Sequence, residues 1–125
     1  LNGNKPEITF LHCVSEYPIS SYSNCNLINI PFIKSITSKE VGYSDHSLGI
    51  EVPKAAVALG SSIIEKHFTI DNTLPGADHA MSATPEIFRK MVDQCNNVNE
   101  MLGNKRLNEP YVCEKNSVQF CVSDN

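Results

Sequence analysis

Apolar and β-branched residues crowd into three short runs along this chain, and longer amphipathic stretches separate them. Glu7–Val14 (EITFLHCV) reads as a buried strand, Val41–Ser44 as a brief second one and Ser62–Phe68 as a third. After a loop at Ser15–Ser23 that contains Pro18, the residues Leu27, Ile28, Ile30, Ile33 and Ile36 give Asn24–Ser38 a helical spacing, which Pro31 interrupts. Leu48–Leu59 is rich in alanine and predicts a helix with Pro53 in its first turn and Gly60 as its terminator. A Gly/Pro-containing loop covers Asp71–Ser82. The last helix is the best defined: Thr84 is its N-cap, Pro85 its first residue, and Glu86 sits in the first turn. Ile87, Phe88, Met91, Val92, Cys95, Val98 and Leu102 then form one apolar stripe, and Gly103 stops it. The remainder, Asn104–Asn125, is polar, with Pro110 and a weak strand signal at Val118–Val122.

The order is β-loop-α, β-α, β-loop-α. Such alternation implies an α/β fold with parallel pairing and right-handed crossovers, which puts chemistry at the carboxyl ends of the strands. The expected division is a folded part at residues 1–103 and a linker or tail at 104–125. A strand arrives almost immediately after Leu1, so the chain is expected to be a piece of something longer.

Composition narrows the class. The 125 residues carry a net charge of −4 and no basic patch, so nucleic acid is not an expected partner. No apolar run is long enough for a membrane helix, and no signal peptide is seen, which predicts a cytoplasmic protein without a membrane partner. The five cysteines form no CxxC pair; Cys13 in a strand and Cys95 on a helix face are expected to be buried thiols. Nucleotide-binding glycine loops, a GxSxG elbow and HExxH are all missing.

Two histidines carry the candidate chemistry. His46 and His67 each follow a predicted strand, 21 residues apart, room for one helix and two connections. Neighbouring parallel strands would aim both imidazoles into one mouth. Imidazole is a common ligand for mid-row divalent metals, and two protein ligands leave positions open for substrate and water. The alternative is a pair of partly buried, hydrogen-bonded histidines. Ser15, Tyr17 and Ser44 fall at strand ends in the same layer.

HCVSEYP (His12–Pro18), GYSDHSLGIEV (Gly42–Val52), AAVALG (Ala55–Gly60), EKHFT (Glu65–Thr69) and LPGADH (Leu74–His79) together resemble the sialic acid synthase family. The resemblance runs in order from about Phe10 to Leu102. It implies a (β/α)8 TIM barrel followed by a small antifreeze-like domain. This chain would supply the last three βα units and the linker, with both the first five strands and the small domain absent. The implied activity is condensation of phosphoenolpyruvate with an N-acetylated hexosamine, giving a nine-carbon sugar acid and phosphate. The SDH triplet is similar to bacterial members, which implies an unphosphorylated, N-acetylmannosamine-like acceptor.

The resemblance also implies roles. His46 and His67 match the metal ligands, for Mn²⁺ in preference to Mg²⁺, since imidazole suits the former better. Ser44 matches a phosphoenolpyruvate-contacting serine; by itself it reads equally as a strand-end hydroxyl capping a backbone group. Tyr17 matches a pocket residue, or is a core aromatic. Ser15 stands where some members carry asparagine. Asp78 matches a carboxylate holding acceptor hydroxyls, or is a turn aspartate. Glu65 shares a strand face with His67 and would orient a metal-bound water as the catalytic carboxylate, or is a buried partner of Lys54 or Lys66. Asp45 alternates to the other face. His12 and His79 match family positions without an assigned chemistry. A homodimer is expected of the full-length protein, and no activity of residues 1–125 alone. The alternatives are a non-catalytic fragment or gene remnant, and a metal-dependent hydrolase, which would need further His or Asp ligands at the strand ends.

Overall fold

The computed structural model describes residues 6–104 and 111–114. Its centre is a three-stranded parallel sheet in the order β1 (Phe10–Cys13), β2 (Val41–Asp45), β3 (Ile64–Lys66). The helices are α1 (Asn29–Thr37), α2 (Glu51–Ala58) and α3 (Pro85–Leu102), so strand and helix alternate as the apolar pattern predicts. β1 and β3 are shorter than their apolar runs. Beyond Lys66 the ladder gives way to a single parallel bridge, Phe68 with Ala83.

Helix boundaries follow local chemistry. Thr84 Oγ1 accepts the Ile87 N–H at 3.4 Å and Pro85 opens α3, where a missing N–H costs nothing. Pro53 lies in the first turn of α2, and Gly60 follows at φ +93°, a left-handed turn that lets Ser61 N–H reach the Ala56 carbonyl at 3.0 Å. Pro31 requires a correction. The expected helix from Asn24 is in fact a short 3-10 turn at Tyr22–Cys25 and then α1, which starts at Asn29. Pro31 thus sits in the first turn of α1 and interrupts nothing. The weak strand expected at Val118–Val122 lies outside the described residues.

Strand alternation divides the side chains cleanly. Val41 and Tyr43 point to the helix side and pack with Ile19, Cys25, Ile30, Val52 and Ala56, which form the core. Gly42 and Ser44 point the other way, in rows with Leu11 and Ile63, and with Cys13 and Glu65. Among the described residues nothing covers this second face, and Leu11, Cys13, Ile63 and Glu65 are exposed there. Cys13 is therefore not the buried thiol its strand position suggested, because it falls on the uncovered side. Cys25 is the buried one, and Cys95 is half-buried on α3. The described cysteines 13, 25, 95 and 113 are free thiols.

Candidate active site

Both histidines leave the sheet on its uncovered side. Continuing the alternation past Ser44 and Glu65 carries His46 and His67 onto the same face, one residue beyond the last ladder pair, Asp45 with Lys66. Their rings are 5.3 Å apart between centroids and inclined at 79°. His46 is buried; His67 is partly exposed. The His46 Nδ1–H donates to the Val14 carbonyl at 2.7 Å, which leaves Nε2 with its lone pair. Its own carbonyl accepts from the Ile19 N–H at 3.0 Å, so the loop after β1 holds the residue from two sides.

Tyr17 lies over this pair. Its ring is 4.1 Å from that of His46 at 32°, and 5.8 Å from that of His67 at 69°. It is half-exposed, a wall of the mouth and not a core aromatic. Ser15 is on the same loop, exposed and without a hydrogen bond to the other candidates. Ser44 is buried, and its hydroxyl donates to Glu65 Oε1 at 2.6 Å. This is a cross-strand, charge-assisted bond, not a backbone cap. A hydroxyl has one proton, so Ser44 gives it either to Glu65 or to a bound anion. Glu65 is exposed and pairs with neither lysine: Lys54 bridges Glu51 at 2.7 Å, and Lys66 turns to the opposite face. Asp78 Oδ2 stands 3.7 Å from His67 Nδ1, well exposed. The loop from Asp71 to Ser82 carries it there.

That loop is held by Asn72 and Thr69, which the sequence did not single out, together with His79, which matched a family position without an assigned role. Asn72 Nδ2 donates to the carbonyls of His79, at 2.6 Å, and Ser82, at 2.9 Å, while His79 Nδ1 lies 2.8 Å from the Thr69 hydroxyl. His79 thus buttresses the segment that presents Asp78. His12 is structural as well: it is buried on the helix side, and its Nε2–H donates to the Cys25 carbonyl at 2.9 Å. Beneath the sheet, burial raises the Tyr43 hydroxyl well above its ordinary value and also raises the Cys25 thiol, so both remain neutral under the site.

The donor set can be tested against a metal. With metal–nitrogen bonds of about 2.1 Å, two imidazoles adjacent on one ion have centroids about 5 Å apart, and the observed 5.3 Å fits. A ligand histidine ordinarily donates its second N–H to a carbonyl, as His46 does to Val14. Among the described residues no group of three His, Cys, Asp or Glu converges to complete a closed site. The three-ligand centre that a hydrolase would want is therefore not formed by them.

With this geometry in hand, similarity to known proteins becomes informative. The sequence pattern of the NeuB family matches residues 1–107. The chain belongs to the NeuB family. It is 50% identical over 102 residues to an uncharacterized protein of Methanocaldococcus jannaschii, covering 82% of this chain and 30% of that protein. An N,N'-diacetyllegionaminic acid synthase of Legionella pneumophila is 43% identical over 102 residues, covering 82% of this chain and 28% of the relative. Among solved structures, the N-acetylneuraminic acid (sialic acid) synthetase of Leptospira borgpetersenii superposes with a TM-score of 0.81 at 43% identity, over 90% of this chain and 39% of the other. The chain thus spans less than a third of the length of the Methanocaldococcus and Legionella relatives. No helix among the described residues is long and apolar enough to cross a membrane.

Proposed function

We propose that the full-length protein containing this NeuB-family segment condenses phosphoenolpyruvate with an N-acetylated hexosamine. The product would be a nine-carbon, sialic-acid-type sugar, with phosphate released. In this reading the three βα units are the last part of a (β/α)8 barrel, and the uncovered face, with Ser44, Glu65, His46 and His67, looks into its mouth. The observation that carries the proposal is the pair of imidazoles at adjacent strand ends, one with its Nδ1 tied to a backbone carbonyl and its Nε2 free.

His46 and His67 would hold a divalent ion, Mn²⁺ in preference to Mg²⁺. When bound, that ion supplies Lewis acidity toward the acceptor's carbonyl oxygen. The chain's own groups do the rest. Ser44 turns its proton from Glu65 to a phosphoenolpyruvate oxygen, and Glu65, released, takes a proton from the water that adds to the substrate. Asp78 accepts hydrogen bonds from acceptor hydroxyls, and Tyr17 walls the pocket and keeps the His46 ring in place. An N-acetylmannosamine-like acceptor suits a loop whose reaching side chain is an anionic acceptor of hydrogen bonds and carries no cation for a sugar phosphate.

The test is phosphate release from phosphoenolpyruvate and N-acetylmannosamine by the full-length protein, with and without Mn²⁺. His46→Ala and His67→Ala are each expected to abolish turnover and weaken Mn²⁺ binding. Near-parental turnover by the double variant would refute the metal assignment. Metal binding without turnover on any N-acetylated hexosamine would favour a non-catalytic member.

A further inference from the structure

Directly behind the histidines, on the helix side of the sheet, Lys66 Nζ meets Asp45 Oδ2 at 2.6 Å, with the two side chains 3% and 0% exposed. These residues are register partners, and each immediately precedes a histidine. Lys66 Nζ also donates to the Ser47 carbonyl at 2.6 Å, and Asp45 Oδ1 accepts the Ser47 N–H at 2.9 Å. One ammonium therefore grips the chain on both sides of His46, at 45 and at 47, while its own backbone leads straight into His67.

Burying this pair is costly. Desolvation costs several kcal/mol per ion, and well-packed apolar residues of similar volume are often equally or more stabilising. One step earlier in the sheet, Tyr43 and Ile64 join the same strands with apolar contact. What apolar packing does not supply is direction. Here two hydrogen bonds tie residues 45 and 47 to Lys66, and a third, from the Ser47 N–H to Asp45 Oδ1, closes the turn around His46.

We propose that Asp45 and Lys66 are positioning residues, a buried strut that sets the separation of the His46 and His67 rings and so the affinity of the pair for a divalent ion. The proposal rests on the metal reading above. Its test is Mn²⁺ titration of the full-length protein, followed by electron paramagnetic resonance, with thermal melting of the metal-free form alongside.

The variant D45N/K66M removes both charges together and keeps an oxygen for the Ser47 N–H. The expected result is a cooperative metal-free melt close to the parent's and Mn²⁺ binding weakened about tenfold or more, the range seen when partners of metal ligands are lost. Asp45→Glu keeps both charges but lengthens one arm, and is expected to weaken binding in the same direction. Parental affinity in either folded variant would overturn the strut while leaving the metal reading intact. If the parent's own Mn²⁺ binding proves indifferent to His46→Ala and His67→Ala, both readings fall together. Loss of cooperative melting in both variants would assign the pair to folding of the sheet and overturn the positioning role.

Discussion

Gly42→Ala places one methyl group where the structure has least room. Gly42 lies in β2 on the uncovered face, between Leu11 of β1 and Ile63 beside β3. A Cβ there would stand 2.7 Å from the Ile63 carbonyl oxygen and in hard contact with Leu11 Cδ2. The leucine tip can rotate away. The carbonyl cannot, because it accepts the Tyr43 N–H at 2.8 Å and so belongs to the β2–β3 ladder. Relief requires the strands to spread or that bond to lengthen. Overpacking of this kind costs about 1–3 kcal/mol, and a weakened hydrogen bond adds about 1 kcal/mol. Alanine restricts the unfolded chain and returns about 0.4–1 kcal/mol. The net expectation is a destabilisation of about 2 kcal/mol, or roughly 4–8 °C at about 2–4 °C per kcal/mol. Spreading β2 from β3 would also shift Ser44, Glu65 and the two histidines, which follow on the same strands. Thermal melting and Mn²⁺ titration of the full-length protein should therefore change together. An unchanged Tm would refute the close-packing reasoning, and a lowered Tm with parental Mn²⁺ affinity would refute the link from ladder to site.

Two further outcomes are expected. Asp78→Asn keeps a hydrogen-bonding side chain but loses the charge, and charge-assisted bonds are roughly twice as strong as neutral ones; steady-state kinetics should show the acceptor KM rising far more than the phosphoenolpyruvate KM, and equal changes would make Asp78 a turn residue only. Cys25 should be the slowest of the four described thiols to be alkylated in the folded protein, as read by mass spectrometry, because burial both shields it and disfavours its thiolate. Since its folded pKa is raised, the stability it contributes is present below the ordinary thiol value and lost as pH climbs through the folded one, so alkaline melting curves should fall.

The local signals were legible because their causes are local. Thr84, Pro85 and Gly103 bound α3 through their own backbone preferences, and alternation along each strand put Glu65 on the face of His67 and Asp45 opposite His46 before any packing was known. Which side of the sheet is covered is another matter. Cys13 and Tyr43 both sit in apolar strands, yet only Tyr43 is buried, because α1 and α2 pack on its face. Pro31 could be placed in a first turn only once the 3-10 turn at Tyr22–Cys25 had used up the preceding residues. The partners of Glu65 and Lys66 show the same division. Charge alone made them candidates for each other, but neighbours in a strand point to opposite faces. Register instead hands Glu65 to Ser44 and Lys66 to Asp45, each across 21 residues of sequence. Residue types and spacing along one segment thus determined the elements and the two histidines. The hydrogen bonds that orient those histidines join separate strands and loops, and only tertiary structure brings such groups within reach.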